Sequence, residues 1–144
     1  MSMSEPIRGV MDTNVLVAAF RSRRGASFEI FRRLRQGEWV AVLSNHLLYE
    51  YEEVLKRDAS VLGLSLSDVD AILNAICARA EEWILLPDWP PILSDPDDEP
   101  LAQLAEEAAV KFIVTHNVVH LQPAILRGIH VLLPREFLTI LQTP

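Results

Sequence analysis

Cysteine is nearly absent from this chain: Cys77 is the only one in 144 residues. No disulfide can form within the chain, and no cysteine-built zinc site is available. Cys77 falls in an apolar helical pattern and reads as a buried core thiol. Glycine is scarce too; the five present make neither G-x-G-x-x-G nor G-x-x-x-x-G-K, which excludes the glycine-rich phosphate loops. No serine sits in a G-x-S-x-G elbow. No apolar run approaches the ~20 residues that a membrane helix needs. The opening Met1-Ser2-Met3-Ser4-Glu5 lacks the basic start and apolar stretch of a signal peptide. The expectation is a cytoplasmic protein with no membrane partner. Positive charge is in deficit, 13 Lys and Arg against 20 Asp and Glu, so passive attraction to nucleic acid is not expected of the chain as a whole.

What is present is apolar residue, half of the composition, in a length that fits a single domain over residues 1–144 with a proper core. The charge is uneven. Arg21, Arg23, Arg24, Arg32, Arg33 and Arg35 form a basic block relieved only by Glu29, whereas residues 81–107 hold nine acids and no Lys or Arg. One region could hold phosphates and the other cations. On charge pattern alone, a solvated helix face and an acidic surface loop explain the same residues.

The pattern predicts short strands at 7–11, 39–43, 83–86, 111–114 and 130–133. Helices are predicted at 26–36, stopped by Gly37, and from residue 45, capped by Ser44 or Asn45. Another follows Ser67, with Asp70 as its capping-box acid. Two more cover 101–109 and 134–141, the last with Pro134 in its first turn. Residues 87–100 contain five prolines and read as a stiff acidic loop. Residues 116–127 read as a poorly patterned connection. Strands alternating with helices imply an α/β fold with a mostly parallel sheet covered on both faces.

The chemistry gathers where such sheets keep it, beyond the carboxyl ends of strands. Asp12 ends the first strand directly, followed by Thr13 and Asn14; as a lone residue it could equally cap a helix. Glu50 and Glu52 flank the apolar stripe of Leu47, Tyr51, Val54 and Leu55 on opposite sides, and periodicity does not choose between them. Asp95, Asp97, Asp98 and Glu99 precede a helix, and four acids exceed what capping requires. Thr115-His116-Asn117, with His120 nearby, forms a further polar cluster after a strand. Carboxylates converging at one sheet edge repel one another unless a hard cation joins them, and Mg²⁺ or Mn²⁺ prefers oxygen ligands. An aspartyl-nucleophile phosphatase would want an acid two residues after Asp12, where Asn14 stands.

Asp12-Thr13-Asn14-Val15-Leu16 resembles the opening motif of the PIN-domain family of metal-dependent ribonucleases. The segment from Ser44 to Leu55 resembles its second motif, with the family's acid on Glu50. Asp95-Pro96-Asp97-Asp98-Glu99-Pro100-Leu101 resembles the third, with the acid on Asp98, and Phe112-Ile113-Val114-Thr115-His116-Asn117 the fourth. Pro134-Arg135-Glu136-Phe137-Leu138 matches the usual ending. The resemblance spans the chain and is closest to the VapC-like toxin components of toxin–antitoxin pairs. One departure stands out: many relatives carry an aspartate at the position of Asn117 or of His120, and neither is acidic here.

The resemblance implies a three-layer α/β/α sandwich that hydrolyses RNA phosphodiester bonds with Mg²⁺ or Mn²⁺. Asp12, Glu50 and Asp98 would hold the metal. Asn14, Asp95, Thr115, Asn117 and His120 would support them, and Arg21, Arg23 and Arg24 would hold the RNA backbone. The implied partners are an RNA substrate, a small antitoxin and a second copy of the chain. The rival expectations are a weak or inactive PIN-like domain that binds RNA or a partner protein, and a small-molecule phosphohydrolase using the same pocket.

Overall fold

Five strands form one parallel sheet: β1 (Ile7–Met11), β2 (Trp39–Ser44), β3 (Ala80–Trp83), β4 (Phe112–Val114) and β5 (His130–Leu132), in the order β3-β2-β1-β4-β5. This is a computed structural model; it describes residues 5–93, 96, 98–125 and 127–143. Pairing is parallel throughout, not merely for the most part. The chain builds outward from β1 through β2 to β3, then returns to the other side of β1 for β4 and β5. The order therefore reverses between β1 and β4, and a crevice opens there at the carboxyl ends of the strands. The register Gly9↔Phe112, Val10↔Ile113, Met11↔Val114 brings the residues that follow, Asp12 and Thr115, side by side.

Helices on both faces complete the expected three-layer α/β/α arrangement: α1 (Thr13–Arg21), α2 (Ala26–Arg35), α3 (Asn45–Arg57), α4 (Ala59–Leu62), α5 (Leu66–Cys77), α6 (Glu99–Glu107), α7 (Gln122–Ile125) and α8 (Pro134–Gln142). Trp39 and Phe137 are fully buried, and their rings meet edge-on at 5.1 Å. The Trp39 indole N–H donates to the Ile30 carbonyl at 2.9 Å, so its polar atom is satisfied inside the core. Gly9 is what lets α8 approach: a Cβ there would lie 3.2 Å from the Phe137 ring. Burying side chains of this size contributes roughly 1.5–3 kcal/mol each.

Five details differ from the sequence expectation. The third strand lies at Ala80–Trp83, not 83–86; β3 is a sheet edge, and its register on Ala41–Ser44 selects the Ala-Glu-Glu-Trp segment over the more apolar run after it. Ile84 and Leu86 are exposed. The apolar residues after Asp12 form a helix, α1, which the pattern left unassigned. α5 starts two residues early, with Ser65 as cap and Asp68 as the box acid, bonded reciprocally at 3.0 and 2.9 Å. Cys77, at the end of α5, is half-buried rather than a core thiol. The stretch after His116 is ordered as a 3₁₀ turn, Val118–Leu121, followed by α7.

Candidate functional site

Asp12 is placed by backbone before its side chain matters. Its N–H donates to the Val114 carbonyl at 2.9 Å, extending the β1–β4 ladder by one bond. The buried Tyr51 hydroxyl donates to the Met11 carbonyl, pinning the end of β1 against α3. Asp12 then occupies the N-cap position of α1 without a side-chain cap bond, so its carboxylate is not consumed by the helix. Instead Oδ2 accepts from the Thr115 hydroxyl at 2.7 Å and from the Asn14 amide at 3.3 Å. Thr115 is itself fully buried, and its Oγ1 accepts the Asn117 N–H at 2.9 Å.

α3 settles the ambiguity between its two acids. Ser44 caps the helix through the Leu47 N–H at 3.1 Å and fixes its rotation. Glu50 then faces the crevice, where its Oε2 accepts from the Thr13 hydroxyl at 2.7 Å. Glu52 lies elsewhere, 3.7 Å from Lys56 on the outer surface. Asp98 takes the N-cap position of α6. The proline-rich loop before it is fastened by Glu99, whose carboxylate accepts from the Trp89 indole at 2.7 Å, from the Ile92 N–H at 2.6 Å and from the Leu93 N–H. Asp98 Oδ2 lies 3.7 Å from His120 Nδ1.

The three carboxylates line one cavity of about 370 Å³, together with Asn14, Asn117, Arg21 and the pair Arg57–Asp58. Asp12 is only 8% exposed. Burial raises its pKa above the usual carboxylate range; the Thr115 hydrogen bond opposes the rise, and the charges of Glu50 and Asp98 add to it. The Tyr51 hydroxyl is pushed well upward by burial and then by Asp12 and Glu50, so it stays a neutral donor.

The donor set is all oxygen at its centre, which suits a hard cation, and a buried carboxylate facing two others is the electrostatic situation that a cation relieves. Among the described residues, no three His, Cys, Asp or Glu side chains are drawn tightly enough to clasp an ion as they stand. Asp12 is bonded to Thr115 and Glu50 to Thr13.

Other expected residues are dispersed. Asp95 and Asp97 lie outside the described residues. His116 lines a separate groove and not the cavity, its N–H donating to Asn14 Oδ1 at 3.3 Å. Of the basic block only Arg21 lines the cavity. Arg23 lies over the Phe20 and Phe28 rings at 5.9 and 6.0 Å. Arg32 and Arg33 are paired with Glu29, at 2.5 and 3.0 Å. Sequence reasoning missed Thr13 as the partner of Glu50, Tyr51 as the anchor of β1, and Arg57 as a second cation on the wall. Arg57 had a findable signal: it lies seven residues after Glu50 on the same helix, hence on the same face.

The profile of the PIN domain matches residues 8–119. The chain belongs to the PIN domain family. Among solved structures it is similar in fold to PAE2754 from Pyrobaculum aerophilum, with a TM-score of 0.61 and 15% identity over 94% of this chain and 89% of that one. It is also similar to VapBC2 from Rickettsia felis bound to a DNA fragment from their promoter, with a TM-score of 0.58 and 12% identity over 87% of this chain and 97% of that one. No curated protein sequence matches the chain. Among the described residues, no helix of this PIN domain is long and apolar enough to cross a membrane.

Proposed function

We propose that this PIN domain is a ribonuclease dependent on Mg²⁺ or Mn²⁺, one domain over residues 1–144, acting in the cytoplasm as the toxin of a toxin–antitoxin pair. One observation carries the reading: the Asp12 carboxylate is buried, 8% exposed, in a cavity shared with Glu50 and Asp98. Asp12, Glu50 and Asp98 would hold the cation. Thr115 and Asn14 orient Asp12, Thr13 orients Glu50, Asn117 lines the cavity and His120 stands 3.7 Å from Asp98. The bound cation supplies a water of lowered pKa and offsets charge growing on the phosphoryl oxygens. No side chain need act as nucleophile. Arg21 and Arg57, on the same wall, hold the phosphodiester backbone, with Arg23 and Arg24 farther along the strand.

Membership of a family of nucleases that generally use divalent metals supports the reaction class. The likeness to VapBC2 supports a small antitoxin partner; the second copy of the chain, as a homodimer, comes from the family resemblance. The reaction is tested with chelator-stripped protein, single-stranded RNA and titrated Mg²⁺ or Mn²⁺. Cleavage that requires the metal and is lost in Asp12→Asn supports it. RNA binding without cleavage at any metal concentration would favour a non-catalytic binding domain, for which the non-acidic Asn117 and His120 argue. Hydrolysis of a simple phosphate ester without RNA cleavage would make it a phosphohydrolase. The toxin role is tested by the neighbouring reading frame, where a small DNA-binding protein is expected.

A further inference from the structure

α1 turns Val17 and Arg21 to the carboxylate cavity and Ala18 to a second groove of about 330 Å³, which the proposed reaction does not use. The first turns of two helices open into that groove: α2 through Gly25, Ala26 and Ser27, and α8 through Pro134 and Arg135. The amides at the start of a helix have no intrahelical acceptor and carry the positive end of its dipole. At α2 the cap residue is Gly25, which has no side chain to satisfy them. Glu29, the acid of that first turn, is turned forward to Arg32 and Arg33 instead. At α8 the Leu133 N–H is taken by Glu136, and Pro134 has no N–H, so that helix contributes the Arg135 guanidinium.

Ser27 is the independent observation. It is 6% exposed, lines the groove, and its hydroxyl has no hydrogen-bond partner among the described residues. The hydroxyl and the amides beside it find no acceptor among the described residues and are open to the groove. His116 and Arg135 add basic groups, and none of the described residues lining the groove is acidic, on a chain of net charge -7. Uncapped helix amides, a free hydroxyl and a guanidinium together fit a tetrahedral oxyanion. The groove also adjoins the reaction site: His116 lines it while its N–H bonds Asn14, which lines the carboxylate cavity.

We propose that this groove is a phosphate subsite, holding a backbone phosphate of the strand whose neighbouring linkage lies at Asp12, Glu50 and Asp98; the strand assignment rests on the nuclease reading. Two measurements on the full chain test it. The first is NMR titration with inorganic phosphate in chelator. Saturable shifts of the Ala26, Ser27 and Phe28 amides are expected, with affinity about tenfold weaker in Arg135→Gln and reduced in Ser27→Ala, the scale of one charge-assisted hydrogen bond. Absence of those shifts, or shifts indifferent to both substitutions, overturns the subsite; an intact phosphate response in a protein that cleaves nothing would sink the nuclease reading alone. The second uses single-stranded oligoribonucleotides with one phosphate at a time replaced by neutral methylphosphonate. One replacement should weaken binding in the parent and not in Arg135→Gln, and Arg135→Gln should raise KM far more than it lowers kcat. If inorganic phosphate binds and no replacement couples to Arg135, the groove takes a free phosphate compound and the strand assignment is overturned.

Discussion

Thr115 and Asp12 sit at the ends of adjacent strands, and the threonine hydroxyl donates to Asp12 Oδ2 at 2.7 Å. This bond opposes the effect of burial on the Asp12 pKa, so it keeps an acceptor-only carboxylate available in a place that disfavours charge. Thr115→Val keeps the shape and removes the donor. The expected outcome is a higher Asp12 pKa, seen as an upward shift of the acid limb of the cleavage profile. Metal affinity should fall about 10- to 100-fold, the usual cost of losing a group that orients a ligand. A profile and affinity equal to the parent's would show that Thr115 only packs.

Asp12→Asn separates chemistry from stability. Its cleavage should fall to background. In metal-free protein the sign of its stability effect follows from the raised pKa. An acid whose folded pKa lies above its unfolded value contributes fully below the unfolded pKa and loses that contribution as pH rises through the folded one. The parent is therefore penalised at neutral pH and not in acid. Thermal melts in chelator should show Asp12→Asn ahead of the parent near pH 7, with the gap closing toward pH 3–4. A gap that is constant or widens in acid would contradict the placement of Asp12 beside Glu50 and Asp98.

Glu50 and Glu52 were indistinguishable by periodicity, and a hydroxyl separates them. Glu50→Gln, which disturbs the bond from Thr13, should abolish metal-dependent cleavage. Glu52→Gln removes only a surface pair with Lys56 at 3.7 Å, worth about 0.3–0.5 kcal/mol, and should leave cleavage unchanged. The reverse pattern would relocate the site to the outer face of α3.

Much of this fold was legible because its signals are local. Apolar runs ending on polar residues gave four of the five strands to within a residue, and the positions of Asp12 after β1 and Asp98 at the start of α6 followed; Glu50, in the middle of α3, was preferred to Glu52 only by the family resemblance. What escaped depends on distance in sequence. The extent of β3 is set by its register on β2 and not by its own hydrophobicity, which is greater at residues 83–86. The fastening of the proline-rich loop by Glu99 involves Trp89 and two backbone amides, which no spacing rule reports. The basic block looked uniform in sequence, yet Glu29 engages two of its members and aromatic rings a third.

That sorting of the arginines has a measurable consequence. Arg21 lines the cavity, so Arg21→Ala should weaken RNA binding and lower the salt slope by about 0.7, the counterion release of one contact on a single strand. Adding Arg23→Ala and Arg24→Ala should flatten the slope further. Arg32→Ala with Arg33→Ala should leave affinity and slope unchanged, since Glu29 pairs with both at 2.5 and 3.0 Å and Glu38 supplies Arg33 with a second carboxylate at 3.0 Å. An equal loss from both sets would make the effect one of net charge, not of contact.

Asn117 lines the same cavity as Asp12, Glu50 and Asp98, and by the family resemblance either it or His120 stands where many relatives carry an aspartate. The neutral amide leaves one negative charge fewer to compensate a second cation. The parent should therefore bind metal weakly, turn over slowly and prefer Mn²⁺ to Mg²⁺, in keeping with the affinity of nitrogen- and oxygen-containing sites. His120, 3.7 Å from Asp98, pushes the same way, because a neutral imidazole suits Mn²⁺ better than Mg²⁺. Asn117→Asp should tighten both metals and raise cleavage, while lowering thermal stability in chelator, since a fourth carboxylate adds to the repulsion already felt by Asp12. His120→Asp should shift preference toward Mg²⁺. Calorimetric titration of the parent and both variants with each metal, paired with melts in chelator, reads all of these. If Asn117→Asp destabilises the metal-free protein without tightening either metal, the cavity is a carboxylate cluster that holds no cation, and the non-catalytic reading of the chain becomes the better one.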